Sequence, residues 1–310
     1  MKDIPHFVKI SPRVSKALTL GLPVVALEST VITHGLPYPE NINLARDMEN
    51  EIEKLGVTPA TIAVLDGVIQ VGLNRMQLER LASETGLTKI SSRDYAGVIS
   101  QKRSGGTTVA GTLVVAEEVG IEVFATGGIG GVHRLPRFDI SADLVQLAKS
   151  RVVVVCAGAK AILDLPGTLE FLETYRIPVV GYETNDFPAF YTKSSGFKIS
   201  VRADSPGEIV SIAHIHWGLG LESAILVTVP PPDDVALPRE KVQKAIDQAL
   251  DDAERKRIRG QEMTPFLLKR VTELTKGTSL RANLGLLLNN ARIAALISKR
   301  MERGNIGQRV

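Results

Sequence analysis

Cysteine is almost absent from these 310 residues: Cys156 stands alone. A single thiol forms no intramolecular disulfide and no cysteine-based zinc cluster, and its scarcity fits a reducing compartment. Cys156 lies in the apolar run Arg151-Val-Val-Val-Val-Cys-Ala157 and reads as a buried core thiol. Long apolar runs are missing as well. None approaches the roughly 18 residues of a membrane span. The N-terminus lacks the charged, apolar and small-residue succession of a secretory signal. The N-terminus is basic and poor in acids, which leaves an organellar transit peptide as the lesser alternative; residues 11–20 read preferentially as a first helix, and the default location is cytoplasmic. Charge of one sign is also lacking: 37 basic and 34 acidic residues leave +3. A dedicated nucleic-acid binder carries a strong basic excess, so that class is set aside. A small anionic substrate needs only a few local cations and is not excluded.

What is present is an ordinary globular composition, 44% hydrophobic, in a chain long enough for a large core. Short β-branched runs predict strands at Val24–Leu27, Thr61–Leu65, Glu122–Ala125, Val152–Cys156, Pro178–Gly181 and Ala224–Val229. Helical spacing predicts helices at Pro39–Leu55, Arg75–Glu84, Val109–Val119, Ala142–Ser150 and Pro206–Trp217. Alternation of this kind predicts an α/β fold with a mostly parallel central sheet, and continuous apolar strands predict burial on both faces. The triple proline in Val229-Pro-Pro-Pro-Asp-Asp234 breaks the pattern. After it the chain reads as a helical C-terminal region: Pro238–Arg259, Thr264–Thr275 and Ser279–Arg300. These amphipathic helices must bury an apolar stripe, on the sheet or on a subunit neighbour.

Ligands in open α/β sheets sit beyond the carboxyl ends of the strands, so chemistry is sought there. Glu28 ends the first run in Ala26-Leu-Glu-Ser-Thr30. A desolvated carboxyl there suits a proton donor, and a helix cap or an arginine partner suits it equally. His34 reads as a loop residue without a catalytic part. Lys89, in Thr88-Lys-Ile-Ser-Ser-Arg-Asp94, is a surface charge unless it faces the cleft of Glu28. The Gly-Gly-Thr-Thr turn ending at Thr108 opens the helix at Val109 and presents hydroxyls and amides to an anion, or simply caps the helix. Four glycines in Ala125-Thr-Gly-Gly-Ile-Gly-Gly-Val-His133 allow a close backbone approach or a sharp turn. They do not make a dinucleotide fingerprint, and NAD binding is rejected. His133 is a ligand contact or a loop histidine. Asp139 and Asp143 would share one face if both were helical, with Ser141 as a cap. One carboxylate and waters can hold a hard divalent ion, and a pair of surface or capping acids fits the spacing too. Lys160 follows a buried strand among small and apolar neighbours. A desolvated neutral amine attacks an aldehyde to give a Schiff base, whereas a snorkelling lysine does nothing. Asn283 stands in an apolar helix start and needs a partner, ligand or backbone.

The ordered segments ALESTVITHGLPYPEN, KISSRD, GGTTVAGT, FATGGIGGVHR, FDISADL, CAGAKAILD, SSGF, TPFLL and SLRANLGLLLNNA resemble the pseudouridine-5′-phosphate glycosidase family, which is indigoidine synthase A-like, from about Val14 to the last helix. The resemblance implies one domain over residues 1–310, an α/β/α sandwich, a homotrimer and one largely water-coordinated Mn²⁺. It implies reversible conversion of pseudouridine 5′-phosphate and water to uracil and ribose 5-phosphate, without nucleic acid or membrane. Carried over by motif, Lys160 matches the nucleophile and Glu28 the proton donor. Asp139 matches the metal ligand. Ser141, Ala142 and Asp143 match substrate contacts, as do Lys89 and Val109, the latter through its backbone. His133 and Asn283 fall at further active-site positions, and Thr108 with Lys89 is a candidate for phosphate contact.

The chemistry accounts for these residue types. Uracil must leave as a carbon acid, which is a poor leaving group. Ring opening and an iminium at C1′ with Lys160 supply an electron sink, and a proton delivered to uracil C5, from Glu28, lets the base depart. The segment Arg134-Leu-Pro-Arg137 is about two residues shorter than is usual in the family, which affects the placement of His133 and Asp139. Two other readings remain. A Schiff-base lyase or aldolase acting on another sugar phosphate would keep Lys160 and release a different aldehyde. A non-catalytic phosphate-ligand sensor would bind without turnover, and the intact Glu28, Asp139, Lys160 and Asn283 weigh against it.

Overall fold

The computed structural model describes residues 4–134, 139–258 and 263–304. The shortened segment after Arg134 falls largely outside them. In chain order the strands are β1 (Val8–Ile10), β2 (Val24–Leu27), β3 (Thr58–Leu65), β4 (Val68–Val71), β5 (Thr88–Ile90), β6 (Gly105–Thr107), β7 (Val123–Ala125), β8 (Val153–Cys156), β9 (Val179–Tyr182), β10 (Val201–Ala203) and β11 (Ile225–Thr228). The helices are α1 (Pro12–Thr19), α2 (Glu40–Lys54), α3 (Arg75–Ser83), α4 (Tyr95–Ser100), α5 (Val109–Val119), α6 (Ala142–Leu147), α7 (Leu165–Thr174), α8 (Pro206–Gly218), α9 (Arg239–Arg255), α10 (Met263–Leu274) and α11 (Thr278–Gly304). A wide π-type turn, Val31–Gly35, follows β2.

Local sequence explains where the helices start. Ser11, Thr108, Ser141, Asp164 and Ser205 each accept a backbone amide of the first turn, and Asn74 forms a reciprocal capping box with Gln77. Proline occupies the first turn of α1, α7 and α8, where its missing N–H costs nothing.

The strands join in one sheet of order β1-β4-β3-β2-β7-β8-β11-β9-β10. From β3 to β10 every neighbouring pair is parallel. β4 and β6 run antiparallel to the far half of β3, and β5 lies parallel to β6. β2, β7, β8 and β11 are buried at every residue, as their unbroken apolar runs require once helices cover both faces. Burial pushes the Cys156 thiol up to about 12, so it is an inert core group.

The expected α/β core stands, and two details are corrected. The Gly-Gly-Thr segment is not a turn but strand β6, squeezed between β5 and β3. A Cβ at Gly105 would lie 2.0 Å from the Thr88 carbonyl oxygen, and one at Gly106 would lie 2.4 Å from Thr33 Oγ1. The polar Lys89 segment is strand β5 for the same reason: it supplies the other side of that ladder.

Of the C-terminal helices, α11 buries its apolar stripe on the sheet. α9 and α10 pack together, and α11 returns across β2, β7 and β8 between α2 and α8. Leu286, Ala291, Ala294, Ala295 and Ile297 of α11 have no exposed surface. The chain leaves the sheet to one side after β2 and to the other after β7, so β2 and β7 flank a topological switch point.

Candidate active site

Where the carboxyl ends of β2, β7 and β8 converge, a cavity of about 390 Å³ opens, within the usual size range of small-molecule sites. Every residue singled out from the sequence lines it: Glu28, Lys89, Thr108, Val109, His133, Asp139, Ser141, Ala142, Asp143, Lys160 and Asn283.

Glu28 is the first residue past β2. The hydroxyl of Thr30 donates to Oε2 and that of Thr126, the first residue past β7, donates to Oε1. The carboxyl is thus held from both sides by neutral donors and, among the described residues, pairs with no arginine. Lys160 sits four residues past β8. Its backbone N–H donates to the Ile129 carbonyl (3.1 Å), which ties its loop to the glycine segment. Among the described residues its ammonium makes no hydrogen bond or ion pair, and it faces the cavity half-buried. Lys89, on β5, faces the same cavity, which settles it as a cleft group. Burial holds its amine below the usual lysine range, the charge of Lys160 adds to this, and Asp143 and Glu28 partly offset it.

Asp143 is buried and is no surface acid. Oδ1 accepts the Ala110 amide (2.9 Å) and Oδ2 the Gly130 amide (2.8 Å). Asp139 and Asp143 do not share a helical face, because α6 begins only at Ala142, after the cap Ser141. Asp139 precedes the helix, its carboxylate 4.0 Å from His133 Nδ1. Burial depresses the His133 imidazole, Asp139 opposes this, and the two lysines reinforce it. Among the described residues no three His, Cys, Asp or Glu side chains gather to cage an ion. A lone carboxylate fits only a largely hydrated hard cation.

The anion site read at the start of α5 is also narrower than the sequence implied. Thr108 Oγ1 accepts the Gly111 amide (3.2 Å), and Asp143 takes that of Ala110. Among the described residues the Val109 amide alone in that first turn is left without a partner. The four glycines all avoid positive φ, so they make no left-handed turn. They let other chain segments approach: a Cβ at Gly130 would meet Ser141 Oγ at 2.2 Å, and one at Gly131 would meet Thr168 Oγ1 at 2.4 Å.

Several lining residues escaped the sequence. His34 is in the π-type turn rather than an open loop, and it reaches the cavity. Its imidazole is depressed by burial and then by Lys89, against a backbone hydrogen bond to Leu87. Thr264, Pro265 and Leu268 of α10, Leu287 of α11 and Phe190 add a mostly apolar share of the cavity wall, which Asn283 also lines. The TPFLL run was visible as a motif, but the packing of α10 over the cavity was not.

The sequence matches the family described as indigoidine synthase A-like protein over residues 13–300. A pseudouridine-5′-phosphate glycosidase from Caldanaerobacter subterraneus subsp. tengcongensis is 48% identical over 300 residues, 96% of this chain and 98% of that relative. The pseudouridine-5′-phosphate glycosidase of Escherichia coli is 48% identical over 306 residues, 98% of each chain. Among solved structures, the prealnumycin C-glycosynthase in complex with ribulose 5-phosphate superposes with a TM-score of 0.91 at 36% identity, over 98% of this chain and 100% of the other. An indigoidine synthase A-like protein from Thermotoga maritima gives 0.89 at 36% identity, with the same coverage. Matched over nearly its whole length in sequence and in fold, the chain belongs to the indigoidine synthase A-like family.

Proposed function

We propose that this enzyme cleaves and forms the C–C glycosidic bond of pseudouridine 5′-phosphate, exchanging it with uracil and ribose 5-phosphate in pseudouridine catabolism. The observation that carries the mechanism is the juxtaposition in one cavity of the Lys160 ammonium and the hydroxyl-held carboxyl of Glu28. Near-full-length relatives bearing the name of this activity support the substrate.

As a free amine, Lys160 forms a bond to C1′ while the C1′–O4′ bond breaks and O4′ takes a proton. Glu28 gives a proton to uracil C5. The C1′–C5 bond then breaks, its electrons passing into the pyrimidine as the nitrogen lone pair closes the C=N bond. Water adds to that iminium, and release of the amine returns ribose 5-phosphate. Thr30 and Thr126 hold Glu28 in place for its proton transfer. Lys89 and the backbone amide of Val109 are the groups assigned to the phosphate, and Ser141 and Ala142, at the start of α6, to the sugar. The apolar wall of Phe190, Leu268 and Leu287 with the Asn283 amide receives the base.

Asp139 is the residue that would hold a hydrated divalent ion such as Mn²⁺, with His133 beside it. Such an ion supplies positive charge and ordered water near the sugar phosphate. A homotrimer and a cytoplasmic location belong to the same proposal. The exposed Ile215 and Leu219 near the end of α8 offer apolar surface for assembly, and among the described residues no helix is long and apolar enough to cross a membrane.

The test is uracil release from pseudouridine 5′-phosphate with Mn²⁺, comparing wild type with Lys160→Ala. Release that disappears in the variant, with borohydride trapping of ribose 5-phosphate on the wild type alone, supports substrate and nucleophile together. A wild type silent in both directions sinks the assignment.

A further inference from the structure

Among the buried polar side chains of α11 outside the cavity wall is Asn290. Asn290 has no exposed surface. Its Nδ2 donates to the Thr126 carbonyl at 2.9 Å and reaches that of Gly127 at 3.5 Å. Its Oδ1, equally buried, has no partner among the described residues. An amide buried with one end unpaired lowers stability. Whatever keeps it there acts through the Nδ2 end.

That end grips the point where the chain leaves β7 for the glycine segment. From the side of β8, the Thr126 amide donates to the Val155 carbonyl (3.0 Å), and the Ala157 amide donates to the Gly127 carbonyl (2.9 Å). From α11, Asn290 takes hold of the two carbonyls. Between these ties the Thr126 hydroxyl donates to Glu28 Oε1, a partner 98 residues away in the chain. Thr30, which holds the other oxygen, is only two residues from Glu28 and moves with its loop. Thr126 is therefore the tether that fixes Glu28 relative to the body of the sheet, and Asn290 fixes the tether.

We propose that Asn290 is a positioning residue for Glu28, acting through the backbone and hydroxyl of Thr126 without touching substrate. The proposal rests on the assignment of Glu28 as proton donor made above. Without the amide, the buried Thr126 carbonyl loses this donor, the junction turns to find another, and the hydroxyl turns with it. Proton delivery to the base then suffers. Capture of the sugar is largely spared: the β8 loop meets this junction at Ala157, while Lys160, three residues on, is held by its own backbone bond to Ile129.

The experiment follows two readouts on the same preparations: uracil release under saturating substrate, and borohydride trapping of ribose 5-phosphate on Lys160. The variants are Asn290→Ala, Asn290→Asp (equal in size, without the NH₂), Thr126→Val, Thr126→Ser, the Asn290→Ala/Thr126→Val double variant and Glu28→Gln. We expect kcat to fall about ten- to a hundredfold in Asn290→Ala, Asn290→Asp and Thr126→Val, with KM changed less than about threefold and trapping unchanged. Thr126→Ser recovers most of the rate, and the double variant is no slower than the slower single one, since the two act in series. Additive losses, an unaffected kcat in Asn290→Ala, or trapping that falls in step with kcat overturn the proposal. So does failure of both Asn290 variants to fold, which makes the amide a requirement of the core. If Glu28→Gln still releases uracil at the wild-type rate, or wild type neither releases nor traps, the underlying assignment has failed instead.

Discussion

Lys89 and Lys160 point into one cavity from β5 and from the loop after β8, and the charge of Lys160 adds to burial in holding the Lys89 amine below the ordinary lysine range. Two half-buried ammonium groups in one site are a standing repulsion that a phosphate dianion relieves. Folding therefore lowers the proton affinity of Lys89. Its contribution favours the folded state above the unfolded pKa of 10.5 and turns unfavourable as pH falls through the lowered folded value. Lys89→Met should raise the thermal midpoint at neutral pH by on the order of 2–4 °C, and the gain should shrink as pH climbs toward 10.5. The same variant should weaken the apparent affinity for ribose 5-phosphate by about tenfold or more. Melting curves at pH 7 and pH 10 with a KM measurement check this; a variant less stable at pH 7 would show that Lys89 carries no such cost.

Asp143 joins two segments that are distant in sequence. By accepting the amides of Ala110 and Gly130 it fastens the first turn of α5 to the glycine segment. Asp143→Ala leaves both amides buried and unpaired, at a cost of about 1–3 kcal/mol each. The thermal midpoint should fall by roughly 5 °C or more, with kcat down at least about a hundredfold as the Val109 amide and the glycine wall drift. Asp143→Asn should rescue little, since its NH₂ would face one of the two N–H donors. A melt unchanged in either variant would mean that other contacts hold this junction.

Much of this was legible from residue order alone. Val24–Leu27 and Val152–Cys156 announce themselves as unbroken apolar runs, and their carboxyl ends carry Glu28 and Lys160. The caps Thr108 and Ser141 mark the starts of α5 and α6 to the residue. The illegible parts share a physical cause: each depends on a neighbour far away in the chain. β6 is Gly-Gly-Thr, which propensity marks as a turn; it is a strand because β3 and β5 pair with it, so closely that Thr88 and Thr33 leave no room for a Cβ. His34 needed the π-type turn to reach the cavity, and Thr126 needed Glu28 opposite it. Asn290 gives no local sign of its contact with Thr126, 164 residues earlier.

Glycine at position 130 is a requirement of packing rather than of backbone angle. Its φ is not positive, yet a Cβ there would lie 2.2 Å from Ser141 Oγ and 2.7 Å from Asp143 Oδ2. Neither neighbour can yield freely, because Ser141 caps α6 and Asp143 is held by two amides. Gly130→Ala should therefore lower kcat by about a hundredfold and the midpoint by several degrees. Gly120→Ala is the useful contrast: φ is +81° and nothing lies within 4 Å of the added carbon. Strain at that αL helix end should cost stability of about 1 kcal/mol and leave kcat alone. Equal effects of the two on kcat would remove the distinction between packing and backbone freedom at this site.

His34 gives a pH dependence opposite in origin to that of a paired histidine. Burial, then the charge of Lys89, depresses its imidazole, and the hydrogen bond to Leu87 only partly compensates. Thr33 Oγ1 lies 2.6 Å from Nδ1, so the neutral ring is engaged on that side as well. The unfolded chain thus binds a proton at His34 more readily than the folded one does. Stability from this residue is complete above pH 6.5 and is lost as pH falls through the lowered folded value. His34→Gln keeps a polar side chain and removes the titration. The wild type's advantage in thermal midpoint should be greatest near pH 7.5 and should narrow steadily toward pH 5. Raising phosphate concentration should reduce the narrowing, because an anion beside Lys89 also stabilises a protonated His34. A wild type and variant whose midpoints run parallel across this range would show that His34 binds its proton equally in both states, and the depression by burial and Lys89 would be wrong.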